Sequence, residues 1–382
     1  QKQAVLVQYA PITTIDSFCL QLVREHFDRL DLDPAFRVAD EGELLLMRGD
    51  VLKDLMEEYY GRQDAAYEGF VDAYASGKAD GGVAELISQV YEFAQSTPWP
   101  EEWYARCRRE LLELENGELE ELSWMRFLLS DAARQAGDWA CQLKEALCLC
   151  GEPDGPAAYL PMIREDLSRV KALAASCGSF SSFCGALDQI EFPRLAAIRQ
   201  KDGAVDAGKK AAVSECRSRI KKAAARLKED YRFDEPQRML QDMEEGKAGI
   251  LKLLELAEEF GRCFREKKKE KNIVDFHDME HFALGILTDP DHRPGPVADG
   301  LSRQFEEILV DEYQDSNLVQ EALVQCVCGE RFGRPNVFMV GDVKQSIYRF
   351  RLARPELFLE KYRTYTKEQS ACQKIELHQN FR

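Results

Sequence analysis

The sequence lacks several signatures that would place the protein in other classes. It contains no apolar run of about eighteen residues, so no transmembrane helix is expected. Its start, QKQAVLVQYAPITTIDSF, lacks the basic residues, long apolar core and small-residue cleavage site of a secretory signal. The 12 cysteines form no CxxC pair, which favours buried free thiols over a zinc or iron–sulfur site. We therefore expect a cytoplasmic protein that does not contact a membrane.

The chain also lacks an initiator Met and begins inside an apolar pattern, so we expect it to be part of a longer protein. Its 382 residues are enough for two domains, or for one domain with a large insertion. The net charge of −17 argues against a generally basic nucleic-acid coat. A local positive channel remains compatible with that total, because the distribution of charge matters more than its sum.

Strand-like runs followed by helix-like stretches occupy both ends of the chain. The pairs are AVLVQYA and ITTI before DSFCLQLVREHF, EEILVDE before SNLVQEALVQCVC, and NVFMVGD before SIYRFRLARPELFLEKYRTY, with KIEL last. Strands that alternate with helices predict an α/β fold with a parallel sheet. Asp16 or Ser17, and Ser316 or Asn317, stand where helix N-caps are expected.

The middle of the chain has a different pattern. Apolar residues recur there at three- and four-residue spacing, which predicts amphipathic helices, while PWPEEW, GEPDGPAAYLP and KDGAVDAGKK are typical of loops. The simplest architecture assigns residues 1–29 and 272–382 to one α/β domain and residues 30–271 to a helical insertion. The basic run RCFREKKKEK is typical of a solvated helix end, with phosphate contact as the alternative.

The stretch EEILVDEYQDSN is an apolar run, expected to be a buried strand, that ends on four crowded side chains: Asp311, Glu312, Gln314 and Asp315. Like charges this close repel each other, so a cation or a reaction is expected to justify them. An apolar strand that ends in Asp-Glu is the Walker B arrangement of P-loop NTPases. In that arrangement the first carboxylate, here Asp311, holds magnesium, and the second, Glu312, polarises the attacking water.

Two further elements fit the same chemistry. NVFMVGDVKQSIYRFR is a second apolar run, ending at Gly341 and Asp342, and Gln345 follows with an uncharged amide that can orient water or sense a γ-phosphate. The chain then ends in LHQNFR, where Arg382 is placed to act as an arginine finger. In phosphoryl transfer such an Arg contributes roughly 10³–10⁵ in rate.

These elements occur in the order found in one helicase family. DEYQDSN, GDVKQSIYRFR and LHQNFR resemble motifs II, III and IV of UvrD-like superfamily 1 DNA helicases, and TTIDSFCLQLVR resembles motif Ib, T-x-H-S-F. The stretches DLDPAFRVADEGE, NIVDFHDMEHFALGIL and FMVGDVKQSIYRFRLARPELFL are similar to the AddA family, the helicase–nuclease subunits of bacterial AddAB recombination enzymes.

The resemblance implies an incomplete RecA-like P-loop NTPase domain that carries a helical, 1B-like insertion. It implies an ATP-driven motor on single-stranded DNA that unwinds duplex DNA during double-strand-break repair, with an AddB-like partner and with ATP and Mg²⁺ as cofactors. Asp311 would be the magnesium ligand and Glu312 the general base, and Gln345 and Arg382 would face the γ-phosphate. Gln314 and Asp315 would couple this site to motif III, which contains Gly341 and Asp342.

The resemblance also implies a path for DNA. Tyr348, Phe350 and Arg351 would line it; without the motif, the two aromatic rings would instead be typical of a core helix. Stacking of a base on an aromatic ring contributes about 1–3 kcal/mol and tolerates any base. Thr14, Ser17 and Phe18 would touch the DNA backbone or shape its groove.

The sequence departs from the family pattern at two points. Asp16 stands where the family usually has His, and an acid there would repel DNA phosphates, although it suits a helix cap. No G-x-x-x-x-G-K-[ST] motif occurs; the nearest match, GAVDAGKK, ends in Lys and lies in the helical middle, so we interpret it as a chance match. We expect the phosphate loop ahead of Gln1, and the second motor domain and nuclease after Arg382. The chain alone is expected to bind Mg-ATP weakly and not to unwind DNA.

Two alternatives stay open from the sequence. One is another UvrD-like helicase subunit with a large insertion, such as a RecB-like chain. The other is a catalytically silent scaffold or DNA-binding subunit that keeps motor-like motifs for structure. The retained set of Asp311, Glu312, Gln345 and Arg382 favours an active motor over a silent one.

Overall fold

The computed structural model describes residues 10–30, 32–75, 81–113, 122–197, 205–231, 236–346 and 352–377. Within these ranges the helices are α1 (Ile15–Glu25), α2 (Glu41–Arg62), α3 (Ala65–Tyr74), α4 (Gly81–Gln95), α5 (Pro100–Glu113), α6 (Ser123–Gly151), α7 (Leu160–Ser176), α8 (Phe180–Asp188), α9 (Ala207–Asp230), α10 (Pro236–Glu270), α11 (Phe276–Leu287), α12 (Pro296–Gln304), α13 (Leu318–Val327) and α14 (Pro355–Thr364). The strands are β1 (Arg37–Val38), β2 (Ile273–Val274), β3 (Ile308–Val310) and β4 (Val337–Met339).

The described strands form two small parallel sheets. β1 pairs with β2, and β3 pairs with β4 in the register Ile308–Val337, Leu309–Phe338 and Val310–Met339. The fold is therefore mainly helical with short parallel strand pairs, which agrees with the predicted α/β class. No helix in the described ranges is long and apolar enough to cross a membrane.

The chain divides into two compact units. The first joins Gln1–Cys107 to Gly249–Arg382, and the second is Arg108–Ala248. Helices α2, α3 and α4 belong to the first unit, whereas the sequence pattern groups them in an insertion over residues 30–271. The assignment of that whole range to one insertion subdomain stays a prediction.

The core of the first unit is built around α11. Its buried apolar side chains pack against those of α1 and α13, and the cluster includes Cys19, Leu22, Val23, Met279, Ala283, Leu284, Ile286, Leu287, Val319, Leu323, Cys326 and Val327. The spacing of these residues at three and four positions gives each helix one apolar face. This packing fixes the segments that precede and follow the acidic stretch.

The second unit has a separate helical core, built from α6, α7, α8 and α9. A buried ion pair crosses it: Nε of Arg217 lies 2.6 Å from Oδ2 of Asp166, and the same guanidinium donates to the carbonyl of Pro193 at 2.6 Å. A buried guanidinium needs such partners because desolvation of its charge is costly.

The chance match to a phosphate loop, GAVDAGKK, leads into α9. Asp206 caps this helix by accepting from the backbone nitrogen of Lys209 at 2.8 Å. The Lys209 ammonium is paired with Asp154 at 2.5 Å and also with Glu152. A lysine held by two acids is poorly placed to receive a phosphate, which supports the interpretation of this stretch as a chance match.

The predicted helix caps are partly right. Asn317 caps α13, its Oδ1 accepting from the backbone nitrogen of Gln320 at 2.8 Å. The cap of α1 is Thr14 rather than Asp16 or Ser17, so the helix begins earlier than predicted. Thr14 has an extended backbone, and its hydroxyl accepts from the backbone nitrogen of Ser17 at 3.2 Å, which satisfies one end group of the helix.

Several other predicted elements differ from the structure. The sequence predicts a loop for PWPEEW, but this stretch leads into α5 from Pro100, a residue type well suited to a first helical turn. KIEL, residues 374–377, is irregular. Of the helix predicted from residue 346, residues 347–351 lie outside the described residues, and α14 begins at Pro355. Most of the predicted first strand, AVLVQYA, lies outside the described residues.

The strands that precede the acidic residues are less buried than their apolar sequence suggests. Leu309 is 71% exposed and Phe338 is 52% exposed, and they are paired neighbours on β3 and β4. The expectation of a fully buried strand is wrong for the described residues, because one face of this strand pair is left to solvent.

Candidate nucleotide site

The carboxyl ends of β3 and β4 bring two polar loops together. Val340 donates from its backbone nitrogen to the carbonyl of Val310 at 2.9 Å, and Tyr313 donates to the carbonyl of Val340 at 2.9 Å. The pairing therefore continues past the last residue of each strand. Residues 311–315, which we call the carboxylate loop, and residues 341–345, the Asp342 loop, lie at the same edge of the sheet.

One buried amide joins the two loops. Gln314 is 1% exposed; its Nε2 donates to Oε2 of Glu312 at 2.6 Å and to Oδ2 of Asp315 at 3.3 Å. Its Oε1 accepts from the backbone nitrogen of Asp342 at 2.9 Å. The two loops are thus held by donor and acceptor atoms of a single side chain.

Gly341 lets the Asp342 loop approach this amide. A Cβ atom at that position would lie 2.5 Å from Oε1 of Gln314 and 3.2 Å from a ring carbon of Phe358. The first distance is shorter than carbon and oxygen tolerate, so a side chain would displace the amide or the loop. The glycine is required here by close packing.

Asp342 organises the turn that carries Gln345. Its carboxylate accepts from Nε2 of Gln345 at 3.1 Å and from the backbone nitrogen of Lys344 at 3.1 Å. The hydrogen bond from Gln345, followed by that from Lys344, holds the pKa of Asp342 below its usual value. Hydrogen bonds therefore run from Gln345 through Asp342 and Gln314 to Glu312.

Asp311 and Glu312 are exposed at the sheet edge. Oδ1 of Asp311 accepts from the backbone nitrogen of Glu312 at 2.9 Å. Glu312 has φ 48° and ψ 39°, a left-handed conformation that costs a non-glycine residue about 1–2 kcal/mol. Residues held in such conformations are concentrated at functional sites.

Asp315 is the more enclosed acid of the loop. Burial raises its pKa, and the neighbouring charge of Glu312 raises it further. The turn that holds it is fixed from outside by α13 and α14: Tyr313 donates to the carboxylate of Glu321 on α13, and Nζ of Lys361 on α14 lies 2.7 Å from Oε1 of the same group. These contacts fix the backbone of the carboxylate loop.

The donor set suits magnesium. Asp311 and Glu312 present carboxylate oxygens, the ligands that this hard cation prefers. Among the described residues, no group of three or more His, Cys, Asp or Glu side chains is placed to hold a metal ion. One or two carboxylates are the usual protein share when phosphates and water complete the shell, so the residues present fit a magnesium–phosphate complex.

The residues proposed to contact DNA are only partly described. Thr14 and Ser17 are exposed at the start of α1, and the hydroxyl of Thr14 donates to that of Ser17 at 2.9 Å. Phe18 is half-buried, with its ring 6.4 Å from that of Phe305. Tyr348, Phe350, Arg351 and Arg382 lie outside the described residues.

A buried polar cluster at the start of α11 escaped prediction from the sequence. Lys268 is 3% exposed and its Nζ lies 2.8 Å from Asp275 and 2.6 Å from Asp278. Burial disfavours the ionised form of Asp275, but the positive charge of Lys268 outweighs burial and lowers the pKa of Asp275. For Asp278, burial raises the pKa. The interpretation of the basic run as a solvated helix end is wrong for Lys268. The signal in the sequence was the pair Asp275 and Asp278, which forms a capping box.

Comparison with known proteins identifies the class. Residues 2–366 match the UvrD/REP helicase N-terminal domain, so the chain belongs to the UvrD/REP helicase family. This confirms the resemblance that the motifs indicated.

Individual relatives carry a more specific name, that of one subunit of an ATP-dependent helicase/nuclease. The chain is 41% identical over 392 residues to the protein of this name from Lachnoclostridium phytofermentans, a match to 100% of this chain and 28% of that protein. It is 40% identical over 395 residues to the protein of the same name from Geobacillus kaustophilus, covering 100% of this chain and 31% of that protein. The chain thus spans less than a third of the length of these curated relatives.

Proposed function

We propose that the chain is part of an ATP-dependent DNA helicase, an ATP hydrolase that couples turnover to movement on single-stranded DNA. The observation that carries the proposal is the hydrogen-bonded path from Gln345 through Asp342 and Gln314 to Glu312 at the carboxyl edge of β3 and β4. Ligands of parallel sheets bind at that edge. The names of the relatives, which are ATP-dependent helicase/nuclease subunits, support it.

The finer fold proposed is a partial RecA-like P-loop NTPase domain. In this assignment Asp311 holds magnesium and Glu312 accepts a proton from the attacking water. Gln345 and Arg382 lie toward the γ-phosphate, and Gln314 and Asp315 fix the carboxylate loop against Gly341 and Asp342. Bound magnesium would neutralise charge that develops on the phosphates. The exposure of Asp311 and Glu312 at the sheet edge supports their roles.

The proposed DNA path is formed by two segments. Thr14 and Ser17 offer exposed hydroxyls to the phosphate backbone at the start of α1, and Phe18 supports them from behind. Tyr348, Phe350 and Arg351 are proposed to stack on bases, which suits a motor that must accept any sequence. We also propose an AddB-like partner and a role in double-strand-break repair, because the relatives are named as one subunit of a helicase/nuclease.

The test is hydrolysis of ATP by the full-length protein that carries this chain, measured with and without single-stranded DNA. Glu312→Gln keeps the size of the side chain and one acceptor oxygen for Nε2 of Gln314 but removes the base. We expect ATP binding to change by less than about threefold and turnover to fall by about 10²–10⁴. Asp342→Asn is not a suitable control, since it alters the same path; Glu307→Gln, an exposed change just before β3, is.

A catalytically silent scaffold is the competing function. It predicts that the wild-type protein binds single-stranded DNA but does not hydrolyse ATP in response to it. Turnover that survives Glu312→Gln would instead show that another residue is the base. The two outcomes differ, because the first appears in the wild type and the second only in the variant.

A further inference from the structure

Glu280 is a buried carboxylate that no role described above uses. It lies on α11 and is 3% exposed, within the core that α11 forms with α1 and α13. A buried carboxylate is tolerated only where hydrogen bonds replace its lost hydration. Its partners therefore indicate why it is there.

The side chains that donate to Glu280 belong to the start of α13. Its Oε1 accepts from Nε2 of Gln320 at 2.7 Å, and its Oε2 accepts from Nδ2 of Asn317 at a longer 3.5 Å. Asn317 is also the N-cap of α13, accepting from the backbone nitrogen of Gln320. Glu280 therefore forms hydrogen bonds to the start of α13, the helix that directly follows the carboxylate loop.

The other charged neighbours of Glu280 are Asp16, on α1, and Asp275, the N-cap of α11. Burial raises the pKa of Glu280 to about 7; the hydrogen bond from Gln320 opposes this, and the charges of Asp16 and Asp275 add to it. The pKa of Cys19 is also raised, mainly by burial and then by the charges of Glu280 and Asp16. Asp16 lies between Thr14 and Ser17, the residues proposed to meet the DNA backbone.

We propose that Glu280 is a positioning residue that links α1 to the carboxylate loop through Asn317 and Gln320. The inference deepens the proposed function and rests on it. When DNA phosphates bind at the start of α1, the resulting shift of α1 reaches α11 through the core that the two helices share. Glu280 then transmits the shift to the cap of α13, and so to the segment that carries Glu312 and Gln314. DNA binding and ATP turnover are coupled through this contact.

The chemistry of the side chain suggests two contrasting variants. Glu280→Met keeps the length of the side chain and removes both acceptor oxygens, so the amides of Asn317 and Gln320 lose their partner. Glu280→Gln keeps one acceptor for Asn317, and its own amide can donate to Gln320 after that side chain rotates. The first breaks the link and the second preserves it.

The experiment measures ATP turnover of the full-length protein with and without oligo(dT), together with the affinity for oligo(dT). For Glu280→Met we expect the DNA-stimulated kcat to fall at least about tenfold, with unstimulated turnover, the KM for ATP and the DNA affinity within about threefold. Glu280→Gln is expected to stay within about threefold of the wild type in every measurement. Ser302→Ala is the matched control: it removes another buried hydrogen bond of the first unit, to the carbonyl of Cys328 at 2.6 Å.

Four results would overturn the proposal. Glu280→Met could leave DNA stimulation intact, which would remove Glu280 from the coupling. It could lower stimulated turnover, unstimulated turnover and the melting temperature together, as a purely structural loss would. It could also change DNA stimulation no more than Ser302→Ala does. A wild-type protein without DNA-stimulated turnover would overturn the proposed function as well, and that failure is recognisable because no substitution is needed to see it.

Discussion

Oε1 of Gln314 accepts a hydrogen bond from the backbone nitrogen of Asp342 at 2.9 Å, and Nε2 of the same amide donates to Glu312 at 2.6 Å. The carboxylate loop and the Asp342 loop therefore meet at one side chain that is almost fully enclosed. A change that displaces Gln314 is expected to disturb both loops together.

Gly341→Ala tests this close approach. The new Cβ would lie 2.5 Å from Oε1 of Gln314, so the amide must move away from the Asp342 nitrogen. We expect the free energy of unfolding to fall by about 1–3 kcal/mol. Turnover of ATP should fall more than ATP binding does. Urea unfolding and steady-state kinetics of the full-length protein measure the two effects.

Gly300→Ala is the control for that substitution. Gly300 lies in α12 and has no atom within 4 Å of an added Cβ. A helical glycine replaced by alanine gains about 0.5–1 kcal/mol, so the opposite sign is expected. Equal effects of the two substitutions would mean that the contact with Gln314 is not what makes Gly341 necessary.

Lys268→Met tests the buried cluster at the start of α11. The change removes the cation between Asp275 and Asp278, which lie 2.8 Å and 2.6 Å from it. Two acids would then remain buried without their partner, and we expect a loss of about 3–5 kcal/mol in the free energy of unfolding. The loss should shrink in acid, where the carboxyls take up protons.

Lys267→Met, one residue earlier on α10, provides the comparison. Lys267 is 49% exposed and pairs with Glu270 of its own helix at 3.1 Å. Its replacement should change stability by less than about 0.5 kcal/mol. If both lysines behaved alike, the burial of Lys268 would carry no energetic weight.

The raised pKa of Glu280 makes the stability of the first unit depend on pH. Its carboxyl titrates near a pKa of about 7 when folded and 4.5 when unfolded, so the folded state holds the proton more tightly. The stabilisation is fully present below pH 4.5 and is lost as the pH rises through 7. Glu280→Gln removes this dependence. We expect its stability relative to the wild type to rise by up to about 3 kcal/mol from pH 5 to pH 8.

Urea unfolding of Glu280→Gln and of the wild type at several pH values measures the difference between their free energies of unfolding. The titration of groups common to both proteins cancels in this difference. Glu307→Gln, an exposed change in the same unit, gives the reference curve. A difference between Glu280→Gln and the wild type that stays flat from pH 5 to pH 8 would mean that Glu280 is ionised as easily inside the protein as outside.

Local rules of sequence predicted much of the candidate site. The apolar runs before Asp311 and Asp342 are strands, and Asn317 caps the helix after the first of them, because strand pattern and cap chemistry are encoded within a few residues. Parallel pairing then places both loops at one sheet edge. The position of Gln345 relative to Glu312 followed from that pairing.

Features that depend on distant residues were beyond such rules. The strands β1 and β2 have two residues each, too few to show any alternation, and they pair across most of the chain. The burial of Lys268 cannot be told from the basic run that it shares with Lys267, because its partners, Asp275 and Asp278, come later in the sequence. The apolar side chains of Leu309 and Phe338 predict burial, yet burial also requires a covering element.

The left-handed backbone conformation of Glu312 affects the stability of the protein as well as its proposed activity. Asn and Gly adopt φ 48° and ψ 39° at a lower energetic cost than Glu does. Either replacement of Glu312 therefore relieves backbone strain and also removes the proposed base. Each replacement also removes the carboxylate that accepts from Nε2 of Gln314 at 2.6 Å, a donor that is almost fully buried. The Glu312 position therefore combines a strained backbone with a stabilising hydrogen bond, and any change of this codon alters both together.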